Sequence, residues 1–163
     1  MSNHQSAWET LALQPLSSPQ AWVLKHELLY IPIFNILLLS IQPIFFKRHL
    51  GVQAMRKLVR QGIQSLRKNR WVIIFPEGTR VRYGEKKKYL AGGGMLAQKS
   101  GAKIVPIAHN SGVFWLRDKF AIKNGTISVV IGPPISPHGK TAKEITKEVQ
   151  DWIEGETQKF PNA

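Results

Sequence analysis

The sequence has no cysteine, and only 10 acidic residues stand against 23 lysines and arginines. The missing thiol excludes disulfides, a cysteine nucleophile and zinc–thiolate sites, and it fits a reducing compartment. The shortage of acid leaves a formal charge of +13. Such a chain is drawn to phosphate, whether on nucleic acid, on a membrane or on a small substrate. Residues 1–20 carry neither a basic start nor an apolar run, so no signal peptide is legible there. Helix-turn-helix, zinc-finger and RNP signatures are absent, and no stacking aromatics alternate with the charges, which argues against a nucleic-acid partner. A Gly-x-Ser-x-Gly elbow is absent too. The longest apolar stretch, Leu28 to Phe46, is interrupted by Pro32, Asn35, Ser40, Gln42 and Pro43. A spanning helix takes ~20 predominantly apolar residues, so a buried or interface-seated helix is the expectation.

What is present points to one folded domain. The chain has 163 residues, of which 43% are hydrophobic and 20% charged, enough for its own core and too apolar for wholesale disorder. The charge is unevenly spread. Residues 1–46 hold one lysine and no arginine, whereas residues 47–70 hold eight basic side chains: Lys47, Arg48, Arg56, Lys57, Arg60, Arg67, Lys68 and Arg70. No acid lies between Glu27 and Glu77, and a second basic run covers Arg80, Arg82, Lys86, Lys87 and Lys88. This is the footprint expected for an anionic surface such as a bilayer.

Periodicity gives a coarse map. Ser6 to Leu13 reads as a short helix, Ala21 to Leu24 as a strand, and Leu28 to Leu39 as an apolar helix. Val52, Met55, Val59, Ile63 and Leu66 recur at helical spacing within Val52 to Lys68. Trp71 to Phe75 is a strand ended by Pro76, and Gly92 to Ser100 a helix stopped by Gly101. Lys103 to Ala108 is a strand pattern whose Pro106 belongs at an edge, a bulge or the strand's end. Thr126 to Ile131 is a further strand, and Thr141 with Glu144 forms a capping box for a last helix lined by Ile145, Val149, Trp152 and Ile153. Strands alternating with helices predict an α/β fold: one domain over residues 1–158, a mixed, partly parallel sheet flanked by helices, and a disordered tail at 159–163.

Three short stretches carry chemistry. In Asn3-His4-Gln5-Ser6-Ala7-Trp8-Glu9 a histidine precedes an acid by five residues. Histidine titrates near neutrality and can take a proton from a hydroxyl, and a carboxylate on its other ring nitrogen fixes the tautomer. The pair works best if His4 sits just ahead of a helix, where the chain bends. Phe75-Pro76-Glu77-Gly78-Thr79-Arg80 follows a strand, where ligands sit in α/β sheets. There Gly78 allows close backbone approach, Glu77 accepts bonds from hydroxyls, and Arg80 can fork onto a phosphate. Val105-Pro106-Ile107-Ala108-His109-Asn110 again runs from a strand into polar residues, with His109 either a second catalytic candidate or a support for its loop.

Together these stretches resemble the glycerolipid acyltransferase family, specifically the 1-acyl-sn-glycerol-3-phosphate acyltransferases. That family has an Asn-His-x4-acid box, a second box ending in arginine, a Phe-Pro-Glu-Gly-Thr-Arg box and a Val-Pro-rich fourth box. Here the four fall in order at His4/Glu9, Pro43 to Arg48, Phe75 to Arg80 and Val105 to Asn110. Most of the family has aspartate where this chain has Glu9, and the usual Ile-Asp-Arg of the second box is Phe46-Lys47-Arg48 here. The family also carries a membrane-anchoring segment and a strand ahead of the histidine box, so the resemblance implies an N-terminally truncated chain whose His4 lacks that leading strand.

The resemblance implies a function. His4 would act as base and Glu9 as its orienter. Arg48 and Arg80 would hold a substrate phosphate, while Glu77, Gly78 and Thr79 complete the acceptor site and Glu77 with Gly78 positions the glycerol. The reaction would move an acyl group from acyl-CoA or acyl carrier protein, as co-substrate, to the free hydroxyl of lysophosphatidic acid, giving phosphatidic acid. No metal and no resident cofactor are required. The expected setting is an anionic membrane surface, on the cytoplasmic face of a bacterial inner membrane. Two alternatives stay open: a different lysolipid acceptor, or a truncated, inactive remnant that still binds phosphate and membrane.

Overall fold

A computed structural model describes residues 1–16, 18–26, 43–46, 51–116 and 122–160. The chain divides into two compact units, one of residues 1–16 with 75–163 and the other of residues 17–74.

The second unit is a parallel α/β layer. β1 (Gln20–Lys25) lies between β2 (Ile44–Phe46) and β3 (Trp71–Ile73). Both pairings are parallel, with Val23 opposite Ile44 and Gln20 opposite Trp71. Parallel neighbours need a crossover, and α2 (Gly51–Arg67) provides the one between β2 and β3, packing on all three strands. Ala21, Trp22, Ile44 and Ile73 of the sheet and Ala54 and Leu58 of the helix are buried; Ala21 and Ile44 share one face of the sheet, Trp22 and Ile73 the other. The buried face of α2 is turned from the expected one. It runs through Ala54, Leu58, Gly62 and Ser65, while Val52 is 69% exposed. Three of these four buried positions, 54, 62 and 65, carry small residues. The basic side chains Arg56, Lys57, Arg60, Arg67 and Lys68 are exposed. The apolar helix expected over Leu28 to Leu39 lies outside the described residues, as does Arg48. Among the described residues no helix is long and apolar enough to cross a membrane.

The first unit is built on β4 (Ile107–His109) and β5 (Val129–Ile131), an antiparallel pair with Ala108 opposite Val130, and β4 leads into the short helix α4 (Ser111–Phe114). The described strands therefore form two sheets, one parallel and one antiparallel. Pro106 falls just before β4, where its missing N–H costs no ladder bond. α5 (Ala142–Thr157) opens on the expected capping box, in which Thr141 and Glu144 satisfy each other's backbone N–H. It buries Ile145, Val149 and Ile153 almost completely against Ala97, Ile104 and Ala108. Each such side chain contributes about 2–3 kcal/mol on burial. α3 (Gly92–Ser100) ends at Gly101, which is left-handed with its N–H on the Ala97 carbonyl. It lies so close to α5 that a Cβ on Gly94 would meet the Ala142 carbonyl and the Thr146 hydroxyl. Lys159 and Phe160, expected in a disordered tail, instead form a turn after α5. Phe160 packs against the core, because a large apolar ring gains more by burial than the tail loses by ordering.

The start of the chain sits in this unit as well. Ser2 pairs in parallel with Ile107, and the Met1 carbonyl accepts the Ile107 N–H at 2.8 Å. Residues 1–3 thus run beside β4 just ahead of His4.

Candidate active site

The site is assembled from three of the stretches singled out above, all within the first unit. α1 (Trp8–Ala12) begins four residues after His4, so the chain bends between histidine and carboxylate as their spacing requires. The bend is held by Glu9 itself. Its side chain folds back over the turn and accepts the backbone N–H groups of Gln5 at 2.7 Å and Ser6 at 2.9 Å. Glu9 is fully buried, and its Oε2 lies 3.7 Å from His4 Nδ1. The His4 ring keeps 20% of its side chain exposed and stacks on Phe75, with centroids 4.2 Å apart and planes 13° from parallel. With Nδ1 turned to the carboxylate, Nε2 is the nitrogen left for a substrate proton.

Phe75 to Arg80 closes on the histidine from its backbone side. The Phe75 carbonyl accepts the Gly78 N–H at 3.0 Å, a tight turn that puts Gly78 at φ 64°, where a side chain would be strained. This turn carries Glu77 inward, so that its Oε1 accepts the His4 N–H at 3.3 Å, while the Val81 N–H donates to the His4 carbonyl at 2.8 Å. Both backbone groups of His4 are therefore held by the Phe-Pro-Glu-Gly-Thr-Arg segment and the Val81 that follows it. Glu77 is 5% exposed, and its Oε2 has no protein partner. It lines a cavity of about 270 Å³ together with Asn3, Gln5, Tyr89, Ile153 and Lys86. Thr79 is half-buried and Arg80 exposed at the end of the segment.

The two buried acids differ in charge. Burial pushes the Glu9 carboxyl up, but His4, His109 and the Gln5 amide together outweigh it and hold the carboxyl down at about 2. Glu77 has no such company. Burial raises it to about 8, the charges of Glu9 and Glu154 add to the rise, and its own and the His4 backbone N–H groups offset only part of it. At neutral pH Glu9 is a carboxylate and Glu77 a carboxylic acid.

His109 is buried inside the same cluster. Asn3 bridges to it in both directions, its amide nitrogen donating to the His109 carbonyl at 2.9 Å and its amide oxygen accepting the His109 N–H at 3.2 Å. Desolvation lowers the pKa of its ring, against the pull of Glu9. Having no exposed surface, it cannot meet a substrate in this structure, so it is not a second base. Nothing in the sequence singled out Ser6 or Ser111, and Asn3 stood out only as the opening of the histidine box; all three complete the surroundings of Glu9 and His109. The only signal available was their position beside recognised residues. Among the described residues no cluster of histidines and acids is arranged to hold a metal ion.

A partly exposed histidine backed by a buried carboxylate can act chemically as a general base on a hydroxyl. The comparisons narrow that chemistry. The Acyltransferase family model matches residues 1–110. A 1-acyl-sn-glycerol-3-phosphate acyltransferase of Pseudomonas aeruginosa is 40% identical over 94% of this chain and 61% of its own length. That of Borreliella burgdorferi is 32% identical over 80% of this chain and 52% of its own. The crystal structure of the 1-acyl-sn-glycerophosphate acyltransferase PlsC from Thermotoga maritima superposes with a TM-score of 0.77 at 25% identity, over 96% of this chain and 63% of that one. This chain belongs to the Acyltransferase family. It spans about three fifths or less of the length of these relatives.

Proposed function

We propose that this chain transfers a fatty acyl group from a thioester, acyl-CoA or acyl carrier protein, to the free hydroxyl of 1-acylglycerol-3-phosphate, giving phosphatidic acid. The observation that carries the reading is the pair of His4 and Glu9: a partly exposed imidazole whose Nδ1 lies 3.7 Å from a buried, ionised carboxylate. His4 Nε2 takes the hydroxyl proton as the oxygen attacks the thioester carbonyl. The tetrahedral intermediate collapses, the C–S bond breaks, and the proton passes from His4 to the departing thiolate. Glu9 keeps the ring oriented and stabilises the imidazolium while it lasts. Arg80 holds the acceptor's phosphate. Glu77 and Gly78 position the glycerol, Glu77 through the Oε2 that the protein leaves without a partner. The exposed cations of α2 and of residues 80–88 support a working place on an anionic membrane surface, the cytoplasmic face of a bacterial inner membrane. That attraction would fade within a Debye length as salt rises.

The test is thiol release from acyl-CoA with lysophosphatidic acid as acceptor, set against its dephosphorylated analogue, monoacylglycerol. Release that needs the phosphorylated acceptor and is lost in His4→Ala supports the proposal. Arg80→Ala should narrow the preference for the phosphorylated acceptor, and Arg80→Lys should restore part of it, since lysine keeps the charge without the fork. Release that is indifferent to the phosphate would overturn the choice of acceptor.

A further inference from the structure

We propose that Ser111 and His109, from the far end of the Val-Pro segment, are positioning residues that act on the reaction through Glu9. The inference rests on the acyl-transfer reading above and deepens it.

Glu9 has two oxygens with different tasks. Oε2 faces His4 at 3.7 Å. Oε1 accepts the Gln5 and Ser6 N–H groups and the Ser111 hydroxyl, the last at 3.0 Å, and stands 3.4 Å from His109 Nε2. The local turn bonds both oxygens, Oε2 through the Ser6 N–H at 3.2 Å and the Ser6 hydroxyl at 3.1 Å. Ser111 and His109 add two contacts to Oε1 from a segment about a hundred residues away in sequence, and so tie the carboxylate to β4 and the residues that follow it.

The proton inventory makes the role of His109 definite. The Ser111 N–H points to His109 Nδ1 at 3.3 Å, so Nδ1 is an acceptor. The ring proton is therefore on Nε2, where it donates to the Asn3 carbonyl at 2.9 Å and faces Glu9. Asn3 is the residue before His4, so this same bond ties the catalytic loop to β4. Ser6, Ser111 and Glu9 form a triangle with contacts of 2.9 Å between the hydroxyl oxygens and 3.1 and 3.0 Å to the carboxylate. Two hydroxyl protons serve these three contacts. Ser6 also accepts the Trp8 N–H at 3.1 Å. Two orders use both protons without conflict: Ser6 to Ser111 to Oε1, and Ser111 to Ser6 to Oε2. In either one Ser111 links the carboxylate to the residues that follow β4. All four side chains, Ser6, Glu9, His109 and Ser111, are fully buried, so none of this bonding is shared with solvent.

The test is a double-mutant cycle on the acyl-transfer rate using Ser111→Ala, His109→Gln and Glu9→Gln. Ser111→Ala should lower kcat by about 10-fold, a typical cost of misplacing a catalytic group, with KM within about two-fold. In the Glu9→Gln background it should have almost no further effect. Gln at 109 places an N–H near the position of Nε2 and should retain more activity than His109→Ala. An equal loss in both backgrounds, or no loss in the parent, overturns the proposal. A parent without turnover refutes the acyl-transfer reading, and the positioning claim is then decided by nitrogen-15 spectra of the histidine rings. These should show His109 as the neutral Nε2–H tautomer, with the Nε2 proton resonance displaced in Glu9→Gln. An Nδ1–H tautomer, or a resonance indifferent to Glu9→Gln, overturns it.

Discussion

Glu9 and Glu77 both touch His4, one at the ring and the other at the backbone N–H, and both are almost wholly buried. Yet one is held at about 2 and the other at about 8. Depth is therefore not what sets their charge. Glu9 has two backbone amides, two hydroxyls and two imidazoles within reach. Glu77 has only two backbone N–H groups, its own and that of His4, and its Oε2 has no partner. Donors stabilise a buried carboxylate, and their scarcity favours the neutral acid. The same residue type thus gives an anion where an imidazolium must be stabilised and a neutral, hydroxyl-bearing group beside a cavity.

The largest expected effect breaks the Glu9 side of this contrast. His4→Ala should cost ~10²–10⁴-fold in kcat, the usual worth of a general base. Glu9→Gln should cost less in rate, since Glu9 orients without transferring a proton. In stability the order of the two acids is clear. Glu9→Gln leaves donors facing an amide N–H₂ and should cost about 3 kcal/mol, read by denaturant unfolding at pH 7. Glu77→Gln replaces a neutral acid with a neutral amide of the same shape, so below pH 4.5 it should change stability by under about 1 kcal/mol. At pH 7 it should be stabilising, because the unfolded parent releases the Glu77 proton and the variant has none to release. If the two substitutions are equally destabilising, the assigned charge states are wrong.

A finer effect is the pH dependence of stability, where the two acids have opposite signs. The folded value of Glu9 lies below its unfolded value of 4.5. Its contribution is present above 4.5 and is lost as pH falls toward 2. The folded value of Glu77 lies above 4.5, so folded protein keeps a proton that unfolded protein has released. Its contribution is full below 4.5 and is lost as pH rises through about 8. Within that window the slope from Glu77 is about 1.4 kcal/mol per pH unit. Urea unfolding of parent and Glu77→Gln between pH 5 and 8 should show the parent declining faster by roughly that slope. Parallel curves would place Glu77 in the ordinary carboxylate range.

Much of this was legible in the sequence because it is local. The capping box at Thr141 and Glu144, the stop at Gly101 and the turn at Phe75 to Gly78 each depend on neighbours within a few residues. The His4 and Glu9 pair was legible for the same reason. What was not legible depends on distant partners. Nothing in the order of residues says that Ser111 lies against Glu9, or that Glu77 turns inward to the His4 backbone instead of facing solvent. The face of α2 was misjudged by about one position because its buried side includes the small residues Gly62 and Ser65, which a hydrophobic stripe does not register.

The difference between the two acids can be read directly from the side-chain carboxyl carbon-13 shifts of Glu9 and Glu77, assigned with the Gln variants and followed from pH 3 to 9. Glu77 is expected to titrate near pH 8, and Glu9 to keep its carboxylate shift down to about pH 3. Titration of both between pH 4 and 5 would contradict the account, because the donors around Glu9 and their scarcity around Glu77 would then not decide which acid carries the charge beside His4.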